Sequence, residues 1–344
     1  METTMTTAAL TPEAEGSPVV HSAVSAVAAA LRTAESVVLL AHSNPDADAL
    51  GSALALGLHL RSRGTKVWVS FDRPAEIPLS LRTLPGQELI VTPSDLPVDA
   101  QLVVSVDVGA RQRLGHLIDL FDAAPVSICI DHHASNPGFG QIQLIDPSAA
   151  ANVMLVVEVL DEMQAEITAD IAANLYAGLA TDTANFRFAT APSHLLAARL
   201  IAAGTEPQSL MRPIMDTHPF RWLAMLSCAL KSATLLPEVA HGAGMVWVKV
   251  SEADSDGLRM EDLDSIIDIV RTTGEAEIAA VFKETAPLMW QVSLRAKTTF
   301  DVGRAATELG GGGHPRSAGY SFSGNVESLL AELMSVLQSV EPAR

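Results

Sequence analysis

The segment Ala41–Ser52 places His42, Asp46 and Asp48 within seven residues, directly after the apolar run Ser36–Leu40. Imidazole and carboxylate crowded in this way are donors for a divalent cation, and no structural requirement explains all three together. Two further apolar runs end in the same chemistry: Gln101–Val106 leads to Asp107, and Val126–Ile130 leads to Asp131-His132-His133. A fourth acid, Asp182, follows the helical pattern Asp170–Ala180 within Gly178–Asn185.

Oxygen donors with a minority of imidazoles suit manganese or a similar ion better than a thiolate zinc site. If His42, Asp46, Asp48, Asp107, His132 and Asp182 converge, they suffice for two ions about 3.5–4 Å apart with one carboxylate bridging. Four aspartates then balance two divalent charges. Taken singly, each acid has a plainer reading as a turn former or helix cap, Asp46 after Pro45 above all. Capping leaves at least one of Asp46 and Asp48 unexplained.

The elements that must position these groups follow from periodicity. Continuous apolar runs at Val37–Ala41, Lys66–Phe71, Leu89–Val91, Leu102–Asp107 and Ser127–Asp131 alternate with helical segments, the first of them Ala49–Leu60. That alternation predicts an α/β fold, with a mostly parallel N-terminal sheet covered by helices on both faces. Ligands at strand carboxyl ends then share one edge, where open α/β sheets bind.

Segments 150–163, 168–180 and 191–203 read as successive helices, and Thr205–Leu236 as helix interrupted by Pro207, Pro213 and Pro219. Strands at Gly244–Val250, Ala276–Lys283 and Met289–Ala296 and helices at Glu261–Arg271, Val302–Glu308 and Val326–Val340 predict a smaller C-terminal α/β domain with a mixed sheet. The expected division is a disordered tail over 1–18, a metal-binding catalytic domain over 19–204, a helical linker over 205–236 and a substrate-binding domain over 237–344.

His42-x-x-x-Asp46-x-Asp48, Val106-Asp107, Asp131-His132-His133 and Thr181-Asp182-Thr183, in this order, resemble the motifs of the DHH phosphoesterases. Gly310-Gly-Gly-Gly-His314-Pro-Arg-Ser-Ala-Gly319 resembles the glycine-rich signature of the DHH-associated domain, and Ser293-x-Arg295 the strand motif before it. The resemblance runs from about Val20 to the final helix. Within the family, chain length and the pair of domains are similar to the bacterial oligoribonuclease/pAp-phosphatase branch, some of whose actinobacterial members act on cyclic di-AMP.

The resemblance implies a manganese-dependent hydrolase of phosphoester bonds in short nucleotides, working through a hydroxide activated by two ions. It assigns His42, Asp46 and Asp107 to the first ion and Asp48, Asp107, His132 and Asp182 to the second. Asp107, His132 and His133 are then the catalytic set, with Asp131 orienting a neighbour. His133, Arg295, Gly312, Gly313 and His314 face the substrate. The glycines suit this because no Cβ blocks a phosphate from the backbone amides. Ser317 and Ala296 depart from the family pattern without removing a proposed ligand. Arg111, Arg113 and Arg187 lie near the ligands, and their roles stay open.

The net charge of −18 over 344 residues argues against a long basic track for nucleic acid and favours small nucleotides or short single-stranded RNA. A single-strand exonuclease like RecJ would call for more basic surface, and an idle nucleotide-binding module would not require six intact ligands. Cys129 and Cys228 imply no disulfide framework. No signal peptide is visible, and no apolar run reaches the roughly 18 residues of a membrane span. A soluble cytoplasmic protein is expected, and by family resemblance a homodimer. Preferences among 5′-phosphorylated dinucleotides, pAp and cyclic di-AMP are open at this point.

Overall fold

A computed structural model describes residues 18–341. The expected tail over 1–18 lies outside the described residues except for Pro18, which opens the first helix. The chain divides into two compact units, one ending at Met215 and the other beginning at Asp216.

In chain order the first unit comprises α1 (Pro18–Thr33), β1 (Ser36–Leu40), α2 (Ala47–Ser62), β2 (Lys66–Ser70), β3 (Leu102–Val106), α3 (Ile118–Ala123), β4 (Val126–Asp131), β5 (Ile142–Ile145), α4 (Asn152–Glu162), α5 (Ala169–Asp182), α6 (Ala191–Ala202) and α7 (Pro207–Met215). The strands form one parallel sheet in the order β2-β1-β3-β4-β5. Along β1 the side chains alternate between two cores. Val37 and Leu39 join residues of α1, α2, α4 and α5, whereas Val38 and Leu40 join Leu114, Leu117 and Phe121 on the opposite face. Each fully buried Val or Leu contributes about 1.5–3 kcal/mol over an exposed one, so the run is stable only as a covered central strand.

Three differences from expectation have local causes. Leu89–Val91 is not a strand: Gln87–Leu89 is a short 3-10 turn, and only Ile90 bridges to Val69. Strand β5 is additional: it is a four-residue edge strand with Leu144 its one buried residue, too short and exposed to stand out as an apolar run. Helix α1 is additional too, although Val24, Val27, Ala28 and Leu31 are buried at helical spacing.

The second unit contains α8 (Trp222–Lys231), β6 (Thr234–Leu236), β7 (Met245–Val250), α9 (Met260–Asp264), α10 (Ile266–Val270), β8 (Ile278–Ala286), β9 (Met289–Ala296), α11 (Val302–Glu308), β10 (Gly312–His314), β11 (Ser317–Ser323) and α12 (Val326–Ser339). Its sheet is mixed, in the order β10-β11-β9-β8-β7-β6, with only β7 and β8 parallel. Ile278, Ala280 and Phe282 face a core shared with α11 and α12, and Ala279 and Val281 face one shared with α8, α9 and α10. The expected fold class therefore holds, with three more strands in this sheet than periodicity marked.

Candidate metal centre

β1 and β3 are central and hydrogen-bonded on both sides, so the residues following them emerge side by side. His42, two residues beyond β1, is 2% exposed. Its Nδ1 lies 2.9 Å from the carbonyl of Ser43, which leaves Nε2 to face the acids. Asp46 is the N-cap of α2; its Oδ1 accepts the backbone N–H groups of Asp48 at 3.0 Å and Ala49 at 2.9 Å. Its other oxygen remains available, 3.5 Å from His42 Nε2. Capping and ligation are thus compatible in one carboxylate.

Asp107 occupies the middle of the group. Its backbone turns out of β3 at φ 58, in the left-handed region, and its N–H donates to Ile130 O at 2.9 Å. Oδ2 lies 3.6 Å from His42 Nε2, while Oδ1 lies 3.3 Å from His132 Nε2. His132 Nδ1 sits 3.1 Å from Ala149 O, so Nε2 turns to Asp107, to Asp182 Oδ2 at 3.3 Å and to Asp48 Oδ2 at 3.7 Å. Asp182 is the last residue of α5 and one-fifth exposed. Gly178, one turn earlier, lets α5 approach: a Cβ there would meet Asp48 Oδ1 at 2.8 Å.

Asp131 stands behind this layer, fully buried. Its Oδ1 is 2.8 Å from His133 Nδ1, and its Oδ2 accepts Asn136 Nδ2 at 2.6 Å. Burial pushes the Asp131 carboxyl up, but the His133 and Asn136 contacts more than offset it and hold it below the usual range. Two residues of this shell carry no signal a strand-end pattern would reveal. Asn136 is one, and Gly109 is the other: a Cβ on Gly109 would come within 2.7 Å of His133 Cγ.

The donor set fits divalent cations. Ligand atoms of His42, Asp46 and Asp107 lie within 4.8 Å of one another, as do those of Asp48, Asp107 and His132. His42 Nε2 and Asp107 Oδ1 are buried without a hydrogen-bond partner among the described residues. Such atoms are costly to bury unless a ligand satisfies them. Burial and the neighbouring Asp182 and Asp107 carboxylates raise Asp48 well above its ordinary value, the repulsion that bound cations would relieve. Cys129 takes no part; burial pushes its thiol up to about 12.

The remaining predicted residues lie in the second unit. Arg295, on β9, pairs in register with Ser317, and Gly312-Gly313-His314 form β10 against β11. Here the glycines divide. Gly313, at φ 140, has Ser317 O and Ala318 Cα where a Cβ would sit, so it serves strand packing, whereas a Cβ on Gly312 would meet nothing within 4 Å among the described residues. Of the three arginines, Arg111 is paired with Asp122, and Arg113 and Arg187 are exposed.

A parallel five-strand sheet with five aspartates and three histidines gathered at its carboxyl edge, followed by a separate mixed-sheet unit, defines a two-unit α/β class with an acid- and imidazole-lined centre. Residues 36–179 match the family model for the DHH family, N-terminal domain, and residues 244–339 that for the DHHA1 domain. The bifunctional oligoribonuclease and PAP phosphatase NrnA of Thermus thermophilus is 32% identical over 303 residues, 87% of this chain and 88% of that protein. An exopolyphosphatase-related protein of Bacteroides fragilis shares the fold, with a TM-score of 0.82 and 21% identity over 92% of this chain and 96% of its own. The chain belongs to the DHH phosphoesterases, in the branch of the NrnA proteins, and is a hydrolase.

Proposed function

We propose that this chain is a manganese-dependent hydrolase of short nucleotides, acting on 5′-phosphorylated di- and oligoribonucleotides, on pAp and on cyclic di-AMP or its linear product pApA. The observation that carries this reading is Asp107, whose two oxygens face His42 on one side and His132 on the other at 3.6 and 3.3 Å. A carboxylate so placed is suited to two cations at once. His42 and Asp46 complete one set, and Asp48, His132 and Asp182 the other. The Thermus relative's name, covering oligoribonucleotide and PAP substrates, supports the substrate class.

Two bound divalent ions would supply Lewis acidity and lower the pKa of water, so no serine or cysteine nucleophile is required. The protein's own residues do the rest. Asp131 holds His133 so that the imidazole presents a proton to a phosphate oxygen. Arg295 on β9 binds phosphate as a fork of N–H donors, and the Gly312 and Gly313 backbone and His314 on β10, across the intervening β11, add donors. The net charge of −18 favours small anions gripped locally over long polymers. In the same reading the first unit is catalytic, the second binds substrate, and the chain works as a cytoplasmic homodimer. Among the described residues no helix is long and apolar enough to cross a membrane.

Asp107→Ala and Arg295→Ala test the assignment together. Asp107→Ala is expected to abolish turnover at any manganese concentration. Arg295→Ala is expected to raise KM about tenfold or more with kcat largely kept. An equal loss of kcat with unchanged KM in Arg295→Ala would contradict its binding role.

A further inference from the structure

A second carboxylate, outside every motif read from the sequence, ties three loops together behind the metal centre. Asp72 follows β2, and its side chain is only 5% exposed. Oδ1 accepts the backbone N–H of His116 at 3.1 Å and lies 2.7 Å from His116 Nδ1. Oδ2 accepts the Ser43 hydroxyl at 3.3 Å and Arg73 Nε at 3.2 Å.

The surrounding backbone is built to this carboxylate. Gly115 adopts φ 58, ψ −129, which residues with a side chain avoid, and a Cβ there would meet Asp72 Oδ2 at 2.2 Å. Ser43 N–H donates to Arg113 O at 2.8 Å, and Asn44 N–H to Arg73 O at 2.6 Å. The loops after β1, β2 and β3 are therefore joined around one buried acid. Ser43 is also the residue whose carbonyl lies 2.9 Å from His42 Nδ1 and sets the direction of that ring.

We propose that Asp72 is a positioning residue for the metal centre: by fixing the Ser43 peptide and the 113–116 loop, it holds His42 Nε2 toward Asp46 and Asp107. This rests on the metal-centre reading above. Groups that orient a ligating histidine typically change metal affinity about 10–100-fold when removed. Asp72 would act at one remove, through Ser43, so the lower end of that range applies.

The test is calorimetric titration of manganese into the full-length Asp72→Ala variant and the wild type, beside activity on pAp over a range of manganese. Expected are a roughly tenfold weaker manganese affinity, a raised manganese requirement for turnover, and recovery of near-wild-type kcat at saturating manganese. Loss of turnover that excess manganese does not restore, or wild-type affinity in a folded variant, would overturn the proposal. If Asp72→Ala does not fold, Ser43→Ala, which deletes only the hydroxyl link, should weaken affinity in the same direction by a few-fold; unchanged affinity there would overturn it. Absence of manganese binding by the wild type would instead refute the metal centre itself.

Discussion

The carboxylate of Asp48 caps a helix that begins at Asn152, more than a hundred positions away: Oδ2 accepts Asn152 N–H at 2.6 Å, and Oδ1 accepts Val153 N–H at 2.9 Å. Helix α4 has Ala151 at its own N-cap, with no side chain to accept these bonds. A proposed ligand thus also satisfies two backbone donors that would otherwise be buried and unpaired.

Asp48 and Asp107 should therefore differ in metal-free protein. Asp48→Ala strands both donors and is expected to destabilise the apo form by about 1–3 kcal/mol. Asp107→Ala leaves these backbone donors capped and removes only contacts to side chains such as His132, so it should destabilise the apo form less than Asp48→Ala does. Urea unfolding in EDTA compares the two; equal destabilisation would refute the dual role of Asp48.

Proton release should accompany metal binding. Burial lowers the His132 pKa, but the carboxylates of Asp107 and Asp182 beside the ring outweigh this and leave it pushed up to about 12, from an ordinary 6.5. A raised value means that the protonated ring stabilises metal-free protein fully below pH 6.5, and that this contribution is lost as pH rises toward about 12. A ligating imidazole must be neutral, so metal affinity should climb with pH. Calorimetry in buffers of different ionisation enthalpy should show about one proton released per His132 engaged. Affinity independent of pH between about 6 and 8 would contradict this.

Gly109→Ala is expected to reduce kcat sharply while leaving metal affinity near wild type. The new Cβ would stand 2.7 Å from His133 Cγ and push the imidazole off the Asp131 carboxylate. Displacement of a catalytic group by about 1 Å can lower rate by about a hundredfold. An unchanged kcat would show that the placement of His133 is not demanding.

The turn beyond Asp182 holds three successive residues at positive φ: Ala184 at 50, Asn185 at 56 and Phe186 at 65. Asparagine tolerates this region, whereas alanine incurs about 1–2 kcal/mol there, partly offset in a glycine variant by its larger entropy loss on folding. Ala184→Gly should stabilise the protein by about 0.5–1 kcal/mol in urea unfolding. Destabilisation would mean that the Ala184 methyl packs to greater effect than its backbone is strained.

What the sequence discloses is set by the range of each interaction. His42, Asp107 and the Asp131–His133 run announce themselves because each follows an apolar strand, and the alternation of runs with helices reveals the parallel sheet. Strand β10 escapes periodicity because glycines give it no alternating faces. Gly109 and Gly115 are legible only through His133 and Asp72, and the cap that Asp48 provides to α4 only through Asn152. These are contacts between positions far apart in the chain, so no local pattern records them.

The most direct measurement is product release by the purified full-length protein from pAp, pApA and cyclic di-AMP, with added manganese and with EDTA. The account predicts turnover of at least one of these that manganese supports and EDTA abolishes, and that Asp107→Ala lacks. Turnover that persists in EDTA, or no turnover of any of the three by manganese-loaded protein, would contradict it.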